Sequence, residues 1–208
     1  MNKSKIEWCD YTWNPVTGCL NNCSYCYARK IGMRFQGHFK PTFHKDRLLQ
    51  PFKEKKPSKI FVCSMADLFG DWIPKEWIDV IIHTAKMLPQ HTFLFLTKNP
   101  KRYADFEFPQ NCWLGETQTG GYVQMNMPHK KNIQFISIEP LLEEVKFSFS
   151  VRNLIEWIIV GGLTPKSVHT EKWVDDILTT ARGYNIPVFL KSNLKYPYKL
   201  KEFPKICE

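Results

Sequence analysis

An α/β fold with a mainly parallel β-sheet is the fold class that this sequence predicts. Two observations predict it: short apolar runs recur along the chain from Lys59 onward, and amphipathic stretches lie between several of them. The runs are rich in Ile, Val and Phe and are nearly continuous, as is typical of strands buried on both faces of a parallel sheet. The pattern fits either a doubly wound sheet or a partial barrel of about six or seven strands.

The strands are expected where the apolar runs lie. They are "KIFVCSM" (59–65), "HTFLFLT" (91–97), "NCWLGE" (111–116), "NIQFISIE" (132–139), "IEWIIVGG" (155–162) and "NIPVFLK" (185–191). A seventh strand is expected earlier, around Glu7 to Trp13. Because no linker or low-complexity segment interrupts the pattern, we expect a single domain over 1–208, with a basic, aromatic C-terminal tail over about 192–208.

Two amphipathic stretches predict helices. Apolar residues recur at intervals of three and four in "PKEWIDVIIHTAKML" (74–88), with Pro74 near the first turn, where proline is tolerated. The same spacing recurs in "EKWVDDILTTARGY" (171–184), where Gly183 suits the C-terminal cap. Shorter helices are expected at 24–36 and 99–106. The stretch 117–132 has no firm periodicity.

Composition bounds the class of protein. The chain has 208 residues, of which 43% are hydrophobic and 24% charged, which favours a globular rather than a disordered protein. There is no apolar N-terminal segment of the signal-peptide type and no apolar run long enough for a membrane span, so we expect a cytoplasmic protein without a membrane partner. The net charge of +9 favours nucleic acid or another polyanion as partner.

The C-terminal tail has two interpretations. Its lysines alternate with aromatic residues, a mixture that could follow a nucleic-acid backbone and stack on bases. Equally, the aromatic residues could pack the tail against the domain. The residues concerned are Lys191, Lys195, Lys199, Lys201, Lys205, Tyr196, Tyr198 and Phe203.

Polar residues follow nearly every apolar run. In parallel α/β folds the ligand binds at the carboxyl ends of the strands, so these positions predict a polar binding mouth. Each position taken alone is also consistent with an ordinary loop residue or helix cap. The residues are Ser64, Asp67, Thr97, Lys98, Glu116, Ser137, Glu139, Gly161, Gly162, Lys191 and Ser192.

A cysteine cluster lies in "GCLNNCSYCYARK" (18–30), where Cys19, Cys23 and Cys26 have the spacing C-x3-C-x2-C. The chain has seven cysteines, an odd number, and we expect a reducing compartment, so a disulfide framework is disfavoured. A structural zinc or structural cluster would need a fourth ligand, for which Cys9, His38 and His44 are the candidates. A [4Fe–4S] cluster could instead be held by the three thiolates alone, leaving one iron open to a small molecule.

The three-cysteine motif, with the aromatic Tyr25 just before the last cysteine, resembles the signature of the radical S-adenosylmethionine superfamily. That resemblance implies a full or partial parallel (β/α) barrel with the cysteine loop after the first strand. It also implies that the open iron binds S-adenosylmethionine, which the reduced cluster cleaves to a 5′-deoxyadenosyl radical that abstracts hydrogen from a substrate. Cys19, Cys23 and Cys26 would be the metal ligands, and Tyr25 would lie near the adenine.

A second resemblance covers nearly the whole chain. The blocks "EW…TWNPVTGC", "CSYCYA", "SMADLFGDWIP", "HTFLFLTKNP", "WLGE", "ISIEPLL" and "WIIVGG" resemble a phage-associated radical-SAM-like family annotated after phage gene products thirty-seven and sixty-eight. The chain departs from that family's pattern late. Leu163-Thr164-Pro165 stands where members have Glu-Ser-Gly after the paired glycines, and "KSNL" (191–194) stands near the end in place of Lys-Gln-Trp-Gly.

The superfamily resemblance assigns roles to the strand-end residues. Asp67, in the segment after the second strand with Ser64, would meet the methionine ammonium group, since an acidic acceptor suits it. Lys98 would meet the methionine carboxylate or a substrate phosphate, and Glu139 a ribose hydroxyl or a polar group of the substrate. The set implied to bind the cofactor is Tyr25, Ser64, Asp67, Lys98, Glu139, Gly161, Gly162 and Lys191.

The residues that act on the substrate are not identified by any motif; the candidates are Lys98, Glu139 and Cys63. Cys63 and Cys112 fall within strands and are also consistent with small buried hydrophobic residues. The resemblance therefore implies a radical S-adenosylmethionine enzyme that is supplied by a reductase or other electron donor. The net charge of +9 favours nucleic acid or a nucleotide as its substrate, with a protein side chain as the second candidate. A partner protein or nucleic acid could close the barrel mouth. The alternative is a nucleic-acid-binding protein with a structural zinc or iron–sulfur site.

Overall fold

The structure, a computed structural model, describes residues 1–123, 131–148 and 154–205. Three α-helices lie in these ranges: α1 Tyr27–Gln36, α2 Lys75–Lys86 and α3 Glu171–Gly183. The strands are β1 Asn2–Lys3, β2 Tyr11–Trp13, β3 Val16–Thr17, β4 Thr42–Phe43, β5 Lys59–Val62, β6 Thr92–Thr97, β7 Cys112–Gln118, β8 Gly121–Val123, β9 Gln134–Ile138, β10 Val145–Phe147, β11 Trp157–Val160 and β12 Val188–Leu190. Short 3-10 helices span Lys45–Arg47, Pro51–Lys53 and Pro100–Asp105.

The chain divides into two compact units, Met1–Leu114 and Gly115–Glu208. The boundary falls inside β7, so each unit contains part of that strand. The single domain that the sequence predicts over 1–208 stays a prediction.

The first unit is built on parallel strands. β5 pairs in parallel with β2 on one side and with β6 on the other, and β1 adds an antiparallel edge to β2. The amide of Phe93 in β6 donates to the carbonyl oxygen of Asn111 at 2.8 Å, which begins the pairing toward β7. A separate antiparallel pair joins β3 and β4. Because β2, β5 and β6 run in parallel, their carboxyl ends lie at one edge.

Aromatic residues fill the core of the first unit. The ring of Phe69 contacts those of Phe95 and Tyr103, with centroid separations of 5.9 and 4.5 Å. The fully buried Trp13 packs edge-on against Phe93 and donates its indole N–H to the carbonyl oxygen of Arg47 at 2.8 Å. This hydrogen bond satisfies the polar atom of a side chain that is otherwise apolar and buried.

The second unit is a parallel sheet with two distinct faces. β11 pairs in parallel with β9 and β12, and the Glu139 amide donates to the carbonyl oxygen of Gln118 at the end of β7 at 3.0 Å. Alternate strand residues, including Ile136, Ile158 and Val160, join the apolar stripe of α3 in one buried cluster. The opposite face carries aromatic rings such as that of Trp157, in keeping with the period of two along a strand. β8 and β10 form a separate two-stranded parallel pair.

The predicted α/β class with mainly parallel strands is confirmed, and each of the seven predicted strand regions contains a strand. Closure into a partial barrel stays a prediction. The helices predicted at 74–88, 171–184 and 24–36 are confirmed, whereas the helix predicted at 99–106 is a 3-10 helix. The residues 124–130 of the aperiodic stretch lie outside the described residues.

The C-terminal cap of the helix at 171–184 differs from the prediction. Gly183 is the last helical residue, Tyr184 occupies the cap, and the left-handed conformation falls on Asn185, with φ of 55°. Asparagine tolerates that conformation better than most residues, so it serves where glycine was expected.

No helix among the described residues is long and apolar enough to cross a membrane.

Replacement of Ile158 by alanine is expected to lower the free energy of unfolding by about 2–5 kcal/mol, because it leaves a cavity in a fully buried cluster. The matched control is Val168→Ala, at a side chain that is largely exposed, which should cost less than about 0.5 kcal/mol. Urea unfolding monitored by circular dichroism measures both values. Equal costs for the two variants would contradict the assigned core.

Candidate functional site

The three cysteines of the motif line one small pocket. The other lining residues are Asn21, Asn22, Arg29 and Phe39. The described lining therefore contains three thiols and no fourth thiol, imidazole or carboxylate. This donor set fits a cluster that is held by three cysteines.

The cysteine loop is fixed against the first unit by its backbone. The amide of Gly18 donates to the carbonyl oxygen of Met65, just after β5, at 2.9 Å, and the amide of Cys19 donates to that of Phe39 at 3.1 Å. Gly18 has a φ of 91°, and a Cβ there would lie 2.0 Å from the carbonyl oxygen of Lys40. Only glycine fits this position, so the loop begins at an essentially fixed point.

Two of the sulfur atoms accept backbone hydrogen bonds. Cys19 Sγ accepts from the amide of Asn21 at 3.4 Å, and Cys26 Sγ accepts from that of Arg29 at 3.3 Å as the N-cap of α1. A helix N-terminus stabilises negative charge, which a metal-bound thiolate carries.

Burial raises the pKa of the Cys19 thiol, and the nearby Asp67 carboxylate adds to that shift while the hydrogen bond from Asn21 opposes it. Bound metal would offset this cost by stabilising the thiolate.

A single metal ion and a cubane cluster require different arrangements of the cysteine sulfur atoms. One ion needs its donors to converge on one point, and no three His, Cys, Asp or Glu side chains of the described residues do so. In a [4Fe–4S] cluster each cysteine binds its own iron, so the sulfur atoms surround a volume instead. The three cysteines line one pocket without converging on one point.

Asp67 lies in the segment after β5 and links the cysteine loop to the end of β6. Its side chain is only 7% exposed. Oδ2 accepts from Asn21 Nδ2 at 2.9 Å and from the Lys98 amide at 3.1 Å. Oδ1 accepts from Thr97 Oγ1 at 2.6 Å and from the Phe69 amide at 3.3 Å. Both oxygens are thus engaged within the protein, which gives Asp67 a positioning role whether or not it also meets the methionine ammonium group.

Lys98 and Tyr25 come together although they are far apart in the sequence. Lys98 Nζ donates to Tyr25 Oη at 2.9 Å and lies 5.5 Å from the centre of its ring.

Ser64 Oγ donates to Asn14 Oδ1 at 3.2 Å, and the Ser64 carbonyl oxygen accepts from Tyr27 Oη at 3.0 Å. The predicted residues of the first unit therefore surround the cysteine loop and the strand ends beside it.

Cys63 directly follows β5 with a φ of 59°, a conformation that side chains rarely adopt. It is fully enclosed, and burial raises the pKa of its thiol to about 12. The thiol is therefore neutral at physiological pH and is no thiolate nucleophile. Its assignment as a candidate for action on the substrate stays a prediction.

The second unit carries its own polar group at the ends of β9, β11 and β12. Lys191 Nζ pairs with Glu139 Oε1, and both side chains are partly buried. Gly161 makes room for this ion pair, because a Cβ there would lie 3.1 Å from side-chain carbons of both partners. Glu139 and Lys191 therefore occupy the space beside Gly161.

Gly162 is held by a reciprocal pair of hydrogen bonds with Asn193. The Asn193 amide group donates to the Gly162 carbonyl oxygen at 2.8 Å, and the Gly162 amide donates to Asn193 Oδ1 at 3.3 Å. The predicted cofactor residues thus form two groups, one in each unit, and their assignment to S-adenosylmethionine stays a prediction.

Glu116 is the strand-end residue with the most unusual environment. It is 6% exposed, Gln118 donates to its Oε1, and its Oε2 has no hydrogen-bond partner among the described residues. Burial raises the pKa of this carboxyl group to about 7. A group of this kind changes its charge near neutral pH.

The C-terminal tail is packed against the second unit as far as the structure describes it. Lys201 forms an antiparallel bridge with Phe189, the Leu190 amide donates to the Leu200 carbonyl oxygen at 2.9 Å, and Phe203 lies 5.1 Å from Trp157 by ring centroids. These contacts support the packing interpretation of the tail. Residues 206–208, which include Cys207, lie outside the described residues.

Sequence reasoning missed three asparagines that hold predicted site residues: Asn14 and Asn21 in the first unit and Asn193 in the second. Each follows or interrupts a motif that drew attention for other residues, and none has a distinctive spacing. Asn14 accepts from both Ser64 Oγ and the Met65 amide, at 3.2 and 3.1 Å. The position of Asn14 directly after β2, at the same edge as the other strand ends, could have indicated its role.

The chain belongs to the family described as "Protein of unknown function (DUF5131)", whose sequence model matches residues 3–202. No curated protein matches the chain. The resemblance to the phage-associated family stays a prediction, because the description of the matching family names no phage protein.

A solved structure of similar fold is that of spore photoproduct lyase complexed with dinucleoside spore photoproduct. The TM-score is 0.53 at 11% sequence identity, and the match covers 91% of this chain and 79% of that one. The likeness shows a shared fold.

Asp67→Asn is expected to lower the free energy of unfolding by about 1–3 kcal/mol, because the amide cannot accept all four hydrogen bonds. The matched control is Asp71→Asn, where an exposed carboxylate accepts from Asn99 Nδ2 at 2.8 Å, and its cost should stay below about 1 kcal/mol. Urea unfolding measures both. A neutral Asp67→Asn would show that the four contacts do not hold the loop.

Glu116 predicts a pH dependence of stability. The pKa is about 7 in the folded protein against an ordinary 4.5, so the folded state retains a proton that the unfolded chain releases between these values. Stability is therefore expected to fall by roughly 3 kcal/mol or less as the pH rises from below 4.5 to above 7.

Glu116→Gln should remove this part of the pH dependence. The control Glu76→Gln removes an exposed carboxylate and should keep the wild-type slope. Urea unfolding at pH 5 and pH 8 compares the three proteins. An unchanged slope in Glu116→Gln would refute the assignment.

Proposed function

We propose that this chain is a radical S-adenosylmethionine enzyme that holds one [4Fe–4S] cluster through Cys19, Cys23 and Cys26. The observation that carries the proposal is the pocket that these residues line, whose described lining offers three thiols and no fourth donor. A structural site would need four ligands, whereas an iron left open suits a small-molecule ligand.

The residues that could have supplied a fourth ligand are engaged elsewhere. Cys9 Sγ donates to Ser4 Oγ at 3.2 Å, and His44 Nε2 shares a hydrogen bond of 2.8 Å with Thr17 Oγ1. His38 Nδ1 accepts from the Lys40 amide at 3.4 Å. These contacts favour the three-ligand cluster over the structural zinc or iron–sulfur site.

The fold supports the same class of enzyme. Spore photoproduct lyase is a radical S-adenosylmethionine enzyme, and its structure shares the fold of this chain. When bound, the cluster and S-adenosylmethionine would supply a 5′-deoxyadenosyl radical that abstracts a hydrogen atom from the substrate.

The residues of the first unit would orient the bound groups. Asp67 holds the cysteine loop through Asn21 and holds the backbone of Lys98 through its amide. The Lys98 ammonium group, already beside Tyr25, would pair with the methionine carboxylate, and the Tyr25 ring would lie against the adenine. In the second unit, Glu139 and Lys191 would meet polar groups of the adenosyl moiety or the substrate.

Nucleic acid or a nucleotide is the proposed substrate class. The net charge of +9 supports an anionic substrate. The protein of similar fold was solved with a dinucleoside, which agrees with this class. A protein side chain is the second candidate substrate.

Anaerobic reconstitution tests the proposal. The wild-type chain should take up about four iron and four sulfide and release 5′-deoxyadenosine when reduced with S-adenosylmethionine. Cys19→Ala, Cys23→Ala and Cys26→Ala should each lose most of the iron and the product. Cys112→Ala, which removes a thiol buried in β7, is the matched control and should keep both.

Each alternative has its own outcome in the same experiment. Zinc without iron would exclude the enzyme and favour a nucleic-acid-binding protein with a structural site. Four iron with S-adenosylmethionine bound but never cleaved would indicate a binding protein without turnover.

A further inference from the structure

Helix α1 leaves most of its surface in solvent. Only Ala28 and Gly32 are buried, and Gly32 lies against the ring of Phe39. On another side of the helix Tyr27, Ile31 and Phe35 recur every four residues, with 54%, 42% and 76% of their surface exposed. Residues at this spacing lie along one side of a helix, so the rings and the aliphatic chain form an apolar stripe.

The same side of α1 is positively charged. Lys30 and Arg34 are exposed beside the stripe, and the sequence of the helix, "YARKIGMRFQ", contains three basic residues and no acidic one. The guanidinium group of Arg34 lies 5.6 Å from the centre of the Phe35 ring. The side chains Tyr27, Lys30, Ile31, Arg34 and Phe35 are called the α1 face below. An apolar stripe flanked by cations fits a protein surface that is apolar and acidic.

The position of the α1 face relates it to the cysteine loop. Cys26 caps the helix, and a rise of 1.5 Å per residue puts Phe35 only about 13 Å along the axis from it. A redox group docked on this face would therefore be close to a cluster held by Cys26.

The proposed reaction needs a reduced cluster, and the electron that reduces it comes from outside the chain. Of the other cysteines that the structure describes, Cys9, Cys63 and Cys112 are all buried. The electron must be delivered by another molecule.

We infer that the α1 face is the docking surface for an acidic, one-electron carrier protein. The inference rests on the proposed function. A carrier of this class, such as a reduced flavoprotein, is oxidised by one electron as the cluster is reduced by one, and no atom is transferred. Charge complementarity speeds the encounter, and the apolar stripe supplies contact area near the cluster.

Reduced flavodoxin, an acidic one-electron flavoprotein, is the probe. The test variant Lys30→Glu/Arg34→Glu reverses two charges on the α1 face. The matched control Lys86→Glu/Arg182→Glu reverses two exposed charges on α2 and α3, so both variants have the same net charge. Phe35→Ala is a third variant that leaves the charge unchanged.

Two readouts are measured on each reconstituted protein. The first is the affinity for oxidised flavodoxin at low and at moderate ionic strength. The second is the rate of 5′-deoxyadenosine formation with reduced flavodoxin and, separately, with dithionite. The test variant should lose about tenfold in affinity and in flavodoxin-driven rate, with the dithionite-driven rate within about twofold of wild type. The control should stay within about twofold in both readouts, and Phe35→Ala should weaken flavodoxin binding by about threefold.

Several outcomes would overturn the inference. Equal losses in the test and control variants would show a general charge effect, and no loss in the test variant would show that the face is not used. Binding of a single-stranded oligonucleotide is measured as a separate comparison, and its loss in the test variant with flavodoxin binding unchanged would make the face a nucleic-acid surface. A chain that takes up no iron would refute the proposed function, while the affinity measurement would still decide whether flavodoxin docks on α1.

Discussion

The carboxylate of Asp67 is the interaction on which the first unit's site depends. It accepts hydrogen bonds from the cysteine loop, from the end of β6 and from its own segment after β5, so three separate parts of the chain share one anion. A buried carboxylate is costly unless its oxygens are engaged, and here the engagement is nearly complete. The loop that carries the cysteines is therefore fixed relative to Lys98 before any ligand arrives. Such preorganisation is what the proposed reaction would require.

The sequence predicts the strands well because their burial leaves a nearly continuous apolar pattern, as in β9 and β11, where every residue is buried. It predicts that Cys19, Cys23 and Cys26 belong to one site because their C-x3-C-x2-C spacing is distinctive. It does not predict the small β3–β4 and β8–β10 pairs, since two or three residues carry no usable periodicity. Nor does it predict that Gly161 accommodates an ion pair: a glycine after a strand looks the same whether a ligand or a neighbouring side chain occupies the space beside it.

The two units contain different kinds of buried polar group. The first unit holds a network centred on a buried anion, with neutral donors and a lysine at its edge. The second holds a partly buried ion pair, Glu139 with Lys191, and a buried carboxyl group, Glu116, that changes its charge near neutrality. Separating such a pair is costly unless a ligand supplies a new counter-charge or hydrogen bonds to each member. A site with this balance suits a ligand that carries both charges or hydrogen-bonding hydroxyl groups.

The sulfur of Cys26 has two tasks at once, since it caps α1 and is one of the three proposed metal ligands. A neutral thiol is a much weaker acceptor than a metal-bound thiolate, so the first turn of α1 should be firmest only after the cluster has been inserted. Insertion of the cluster would then be detectable at the protein surface, because the first turn of α1 would change from frayed to well formed.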